Sequence, residues 1–389
     1  MIFRPAADEK LCASGSIITD IPNQPVLNKK EDIMKKLLAL VLAMTMILAL
    51  TACGGGNTGG SDNGGGSASG SGSAGGDSSG DETVTLSLAH IRPVDSPSDL
   101  AIRAFAEEAT ELSGGSIQFE IYPANQLGDY TIVQERVSIG DVDMQIASLG
   151  SNMDEFFAMS NAAYLCATWD EARKVFAEDS PIVSLYTEKL AKYNMTYLTN
   201  YPLYFGGISL NVDAVDPTNP NAKSGIKIRV PSMTTFEKTA TTLGYLATPL
   251  PSSEMFTAVQ THVVDGAIGA GAEMYYGNLS GLNKYYLPIN DHFECWWMYI
   301  NTDRWNSLSD NQRNALQTAA RHMNEARWEV AEAETKEYED KLAESGCIVV
   351  EYTDEQLAEF AAVVREAVWP VISEEYGTEN FEAVTAGIQ

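Results

Sequence analysis

The chain is poor in the groups that most catalytic chemistry needs. It has four histidines in 389 residues, and His90, His262, His292 and His322 are scattered without metal-ligand spacing. Of its five cysteines, Cys12 lies in the first 33 residues and Cys53 ends an apolar segment. That leaves Cys166, Cys295 and Cys347, with no close pair. Nothing resembles a disulfide framework or a cysteine-rich metal site; one disulfide is the alternative to the expected three buried free thiols. Basic residues are scarce: 25 Lys and Arg stand against 53 Asp and Glu, for a formal charge of −28. This balance excludes nucleic-acid binding and docking on anionic lipid by charge. It also means that an anionic ligand must be captured by a local cation, because the overall field repels it. No Gly-x-Gly-x-x-Gly opens a helix, no phosphate loop with Gly-Lys-Ser/Thr occurs, and the folded part has no nucleophile elbow. Neither an enzyme nor a bound cofactor or metal is expected.

What is present begins with an export signal. Met34 is followed by Lys35-Lys36 and an apolar run from Leu37 to Leu50, which closes on Leu50-Thr51-Ala52-Cys53. A run of 14 residues falls short of the ~20 needed to span a bilayer. The small residues Thr51 and Ala52 suit a signal peptidase, so residues 34–53 are expected to be a lipoprotein signal with Cys53 carrying the lipid. Residues 1–33 show no sustained periodicity, and Lys30-Glu31-Asp32 can be encoded by a purine-rich, ribosome-binding-like stretch. Met34 is therefore expected to be the true start, with residues 1–33 a mis-assigned leader. Residues 54–82 are almost all Gly, Ser, Asp, Asn and Thr, a tether with ends roughly 30 Å apart. The expected product is extracytoplasmic, held to the cell membrane by lipid alone, and monomeric.

From Val84 the patterning is that of an α/β fold. Val84 to Ala89, Ile117 to Ile121 and Val142 to Ala147 read as strands. Ser96-Pro97 opens a helix with an apolar stripe through Ile102, Phe105, Ala109 and Leu112, and a second helix covers about 130–139. This β-α-β-α-β order implies a parallel sheet, with ligands beyond the carboxyl ends of its strands. Those ends are Ala89-His90-Ile91, Tyr122-Pro123 and Ser148-Leu149-Gly150. A helical stretch is expected over about 168–192, with strands over 195–199 and 205–211. A second α/β unit follows, with helices over 234–243 and 253–262 and strands over 263–268 and 292–301. Ser309 and Gln312 form a capping box for one helix running to Ser345, roughly 55 Å long and able to brace two lobes. A short strand over 348–352 and a helix from about Asp354 complete the chain.

Gly225-Ile226-Lys227-Ile228-Arg229-Val230-Pro231 is an apolar strand carrying an arginine near its end. A buried guanidinium without a partner costs several kcal/mol, so Arg229 must meet either an internal carboxylate or one that arrives from outside.

The ordered motifs resemble the solute-binding proteins of tripartite ATP-independent periplasmic (TRAP) transporters. They are Leu88-Ala89-His90 with Asp95-Ser96-Pro97; Tyr122-Pro123-Ala124-Asn125-Gln126-Leu127-Gly128; Gly140-Asp141-Val142-Asp143-Met144; Ile226 to Pro231; and Ala258-Val259-Gln260-Thr261-His262-Val263-Val264-Asp265-Gly266. The resemblance runs from Val84 to about Tyr376. It implies a two-lobed, type II periplasmic-binding-protein-like fold with a long helix spanning both lobes. It divides the chain into lobe I, 83–206 plus 295–330, and lobe II, 207–294 plus 331–376. It also implies that Arg229 pairs with the carboxylate of a small organic acid, a match suited to its planar fork, and that membrane permease subunits are the partners. Three positions depart from the family pattern: Gly206 where a second basic residue is frequent, Gly269 where asparagine is, and Ser252 where an aromatic is. One clear cation therefore remains, which favours a monocarboxylate. Tyr130, His90, Ser148, Phe205, Gly269, Glu273 and Trp296 are the other candidate contacts, and either Trp296 or Trp297 must face inward because strand neighbours alternate. The alternative reading is a similarly folded binding protein serving an ATP-driven importer or a sensor.

Overall fold

The structure, a computed structural model, describes residues 81–386. The leader, the signal segment with Cys53 and nearly all of the tether lie outside those residues. The elements run β1 (Val84–Ala89), α1 (Pro97–Leu112), β2 (Ile117–Tyr122), α2 (Tyr130–Ser138) and β3 (Met144–Ala147). Then come α3 (Trp169–Val175), α4 (Pro181–Lys192), β4 (Met195–Phe205), β5 (Gly207–Leu210), β6 (Lys227–Val230), α5 (Thr234–Thr242) and β7 (Leu246–Pro249). The chain continues through α6 (Met255–Gln260), β8 (Gly266–Ala270), α7 (Ala272–Leu279), β9 (Tyr285–Leu287), β10 (Phe293–Asn301) and α8 (Thr302–Ser307). It ends with α9 (Asp310–Glu344), β11 (Ile348–Val349), α10 (Asp354–Tyr376) and α11 (Thr378–Thr385).

The strands form two sheets, ordered β2-β1-β3-β10-β4 and β11-β9-β5-β8-β6-β7. As β-α-β-α-β patterning requires, β1 is parallel to both β2 and β3. β10 then enters from far along the sequence and lies antiparallel between β3 and β4. Besides the long helix, which leads from β10 to β11, two connections cross between the sheets. β4 passes directly into β5 through Gly206, and β9 leads into β10. The Gly206 N–H donates to the His292 carbonyl at 2.8 Å, which ties the crossings together. Space explains the glycine, because a Cβ there would sit 2.0 Å from the His292 ring.

The long helix is continuous for 35 residues, and its Ser309/Gln312 capping box is formed. Its first half packs with α1 and the first sheet, through Leu316, Ala319, Ala320 and Met323. Leu342, near its other end, packs with α7 and the second sheet. The stretch expected to be helical over 168–192 is two helices. Ser180 caps the second by accepting from Val183 N–H, with Pro181 at its first turn, a position proline favours and a helix interior does not tolerate. The helix expected over 253–262 is only six residues long, preceded by a 3₁₀ turn over Ser252–Glu254. The following strand starts at Gly266 because the backbone turns left-handed at His262, with φ of 56°. Cys166, Cys295 and Cys347 are buried and free.

Candidate ligand-binding site

Between the sheets lies a small cavity of about 30 Å³, room for a water-sized group. Its lining draws on the ends of β1 and β3 (Ile91, Arg92, Ser148), the start of α2 (Tyr130), Asn161, and β4 and β10 (Tyr204, Glu294, Trp296). The second sheet side contributes Arg229, Pro231, Met233, Phe236, Ser252, Gly269 and Met274.

Arg229 projects from β6, between β7 and β8, and is 2% exposed. Its Nε donates to the Leu250 carbonyl at 2.9 Å. Among the described residues no carboxylate lies within ion-pair distance of it. Burial lowers its pKa, and the Tyr130 and Tyr275 phenols and then Asp129 act against that. The guanidinium is thus a desolvated cation whose fork faces a cavity. Tyr130, at the first turn of α2, is held protonated by burial and by the Asp129 charge.

Arg92 is a second cation in the lining, which corrects the expectation of a single one. It is 1% exposed and partly engaged by protein groups, with no hydrogen-bond partner at its Nε. Its Nη2 donates to Tyr204 Oη at 2.8 Å, and its Nε lies 3.3 Å from Glu273 Oε2. Its guanidinium also sits 4.7 Å from the Trp296 ring centroid, a cation–π distance. Arg92 lies two residues past His90, so following the strand-end rule a little further along the chain would have found it.

Glu294 was also missed. It precedes Trp296 by two on β10, so alternation places both on one face, and both line the cavity. Trp297 faces the opposite core. Glu294 accepts from the Ser148 hydroxyl, from Trp296 Nε1 at 2.7 Å and from Asn161 Nδ2 at 2.9 Å. His292 Nε2 lies 3.4 Å from Glu294 Oε2 while its Nδ1 meets Asp291 at 2.7 Å. Burial would raise the Glu294 pKa, but the neighbouring His292, the Ser148 hydroxyl and Arg92 hold it below its ordinary value.

Of the residues expected from sequence, Arg229, Tyr130, Ser148, Gly269 and Trp296 come together in this lining. Gly269 has φ of +89°, and a Cβ there would lie 2.5 Å from the Pro231 ring, so the frequent asparagine has no room. Glu273 stands behind the wall as the partner of Arg92. Two expectations are corrected. His90 is turned away to Asp99, 3.1 Å from its Nε2, in the first turn of α1. Burial lowers its pKa to about 4 despite that carboxylate. Phe205 packs edge-on against Trp169 and Phe293 instead of lining the cavity.

A desolvated guanidinium and a polar wall facing a cavity between two α/β sheets define a two-lobed solute-binding protein. The chain belongs to the bacterial extracellular solute-binding proteins of family 7, the DctP family, which matches residues 88–375. This is the TRAP solute-binding family, made of transport proteins and not enzymes. One relative is the C4-dicarboxylate-binding periplasmic protein DctP of Rhodobacter capsulatus, 24% identical over 311 residues, 78% of this chain and 91% of its own. Another is the sialic acid-binding periplasmic protein SiaP of Vibrio cholerae, 25% identical over 304 residues, 76% of this chain and 90% of its own. The crystal structure of DctP7, an extracytoplasmic solute receptor of Bordetella pertussis binding pyroglutamic acid, superposes with a TM-score of 0.69. It is 18% identical and covers 79% of this chain and 100% of its own.

Proposed function

We propose that this protein captures a small organic acid outside the cytoplasm through a bidentate contact between the acid's carboxylate and Arg229, and delivers it to the membrane permease subunits of a TRAP transporter. The observation that carries this is the Arg229 guanidinium, 2% exposed, in a cavity wall where no carboxylate among the described residues lies within ion-pair distance. The named ligands of the three relatives, a C4-dicarboxylate, sialic acid and pyroglutamic acid, are all carboxylates, which agrees with this anchor. Two lobes, 83–206 plus 295–330 and 207–294 plus 331–376, would close on the ligand.

Titration calorimetry with pyroglutamate, galactonate, hexanoate and succinate tests the anchor. Losing a charged partner costs a few kcal/mol, so Arg229→Ala should bind the tightest of these at least about a hundredfold more weakly, with its unfolding transition retained. Binding within threefold of wild type would refute the assignment. Lipid attachment at Cys53 is the second part of the proposal. Cells fed labelled palmitate should label the wild-type protein and not Cys53→Ala; equal labelling of both would exclude it.

A further inference from the structure

The wall that carries Glu294 has a polarity that the anchor does not account for. A carboxylate offers about four acceptor sites, and here Ser148, Trp296 and Asn161 donate to three of them while His292 Nε2 stands 3.4 Å from Oε2 without a hydrogen bond. Ser148 Oγ and Trp296 Nε1 have one proton each, and both protons point at Glu294. What Ser148 can offer a ligand is therefore its oxygen lone pairs. Charge points the same way. Arg92 and His292 stand among three carboxylates, Glu273, Asp291 and Glu294; only Arg92 and Glu294 line the cavity, so the cluster in and behind this wall holds one negative charge more than it holds positive. Arg229 holds the opposite surplus across the cavity. Arg92 does not reverse this, because Glu273 balances its charge at 3.3 Å and Tyr204 takes its Nη2, although its Nε has no hydrogen-bond partner.

We infer that Glu294 is a positioning residue that fixes Ser148 as a hydrogen-bond acceptor and makes its wall negative, so that the site selects a monocarboxylate carrying a hydroxyl or N–H donor and disfavours a dicarboxylate. A second carboxylate placed here would meet lone pairs and a like charge and would have to compete with Glu273 for Arg92, which is unfavourable in a desolvated site. A hydroxyl or N–H would complete the Ser148 oxygen. The inference rests on the carboxylate reading of Arg229.

The test is calorimetry on the full chain with matched ligands. Pyroglutamate is compared with its lactone analogue, in which a ring oxygen replaces the N–H, and galactonate with hexanoate; succinate stands for the dicarboxylates. In wild type the tighter donor-bearing acid should bind at least about tenfold more tightly than its donor-free partner and than succinate, because an unfilled buried acceptor is costly. Glu294→Gln puts an amide N–H in the hub and frees the Ser148 proton, so the preference should fall to within threefold. Ser148→Ala should also reduce it, and it stands in if Glu294→Gln does not fold. A loss of packing alone would weaken both members of a pair and leave their ratio unchanged. Donor-free acids or succinate binding wild type as tightly as the donor-bearing acids would overturn the inference. So would a preference that survives in both variants. If Arg229→Ala abolishes binding while Glu294→Gln keeps the wild-type ratio, the anchor stands and this inference falls. If no carboxylate in the panel binds wild type, both fall.

Discussion

His292 lies between Asp291 and Glu294, and its two ring nitrogens face one carboxylate each. Burial alone would lower its pKa, but the Asp291 charge and hydrogen bond, with Glu294, raise it to about 9. An imidazole in the unfolded chain releases its proton near 6.5. Between those values the folded state binds more protons, so the contribution of His292 is complete below about 6.5 and is lost as pH rises through 9. His90 has the opposite sign. Held near 4 by burial, it costs stability as pH falls from about 6.5 toward 4, where only the unfolded chain takes up the proton. Thermal melts of the ligand-free protein should show Tm falling from pH 6.5 to 9, with a shallower slope in His292→Gln. An equal slope in the two proteins would contradict this placement of charge. At this scale the sequence was legible where the residue's own chemistry demanded a partner, as with Arg229 on its apolar strand. It was misleading where the partner came from elsewhere. The strand-end position of His90 suggested the cavity, yet Asp99, visible only as a first-turn acid of α1, takes its Nε2.

Pro202 and Leu203 on β4 show how the elements aim the site. The pairing of β4 with β10 runs Glu294 with Tyr204 and then Cys295 with Pro202, leaving Leu203 as the extra residue of a bulge. Pro202 has no N–H for the ladder, which suits it to such a break. Arg327 of the long helix fills the gap. Its Nε donates to the Pro202 carbonyl at 2.8 Å and its Nη2 to the Leu203 carbonyl at 3.0 Å, while Glu334 pairs with its Nη1. The bulge lies beside Tyr204 and Glu294, both cavity residues. Arg327→Ala should cost about 2–3 kcal/mol in chemical denaturation, because it strands buried strand carbonyls. Arg327→Lys should recover less than half, since one ammonium cannot reproduce the fork. A loss under about 0.5 kcal/mol for Arg327→Ala would show that the helix is not clamped here. Element ends were legible where capping chemistry is local: Ser309 with Gln312, and Ser96 with Pro97. The break before Ser180-Pro181 carries the same signal as Ser96-Pro97, but apolar residues on both sides masked it. The bulge at Leu203 depends on a partner strand about 90 residues away, which no local period reports.

The two sheets are joined by the passage through Gly206, by the β9-to-β10 connection and by the long helix, which packs on both. The order of β1, β2 and β3 follows from alternating strand and helix patterns. The insertion of β10 beside β3 follows from no local pattern, because its pairing is set by packing of distant residues. That insertion brings Glu294 and Trp296 to face Arg229, so the polar half of the cavity was the less legible half. In the proposed reading the ligand's carboxylate meets Arg229 on the second sheet and its donor end meets the first. The most direct measurement is a crystal structure with the tightest-binding acid of the calorimetric panel. The account predicts the ligand carboxylate on the Arg229 guanidinium through paired N–H···O contacts of about 2.7–2.9 Å, enclosed by both sheets. A ligand whose carboxylate sits on Arg92, or anywhere else away from Arg229, would contradict it.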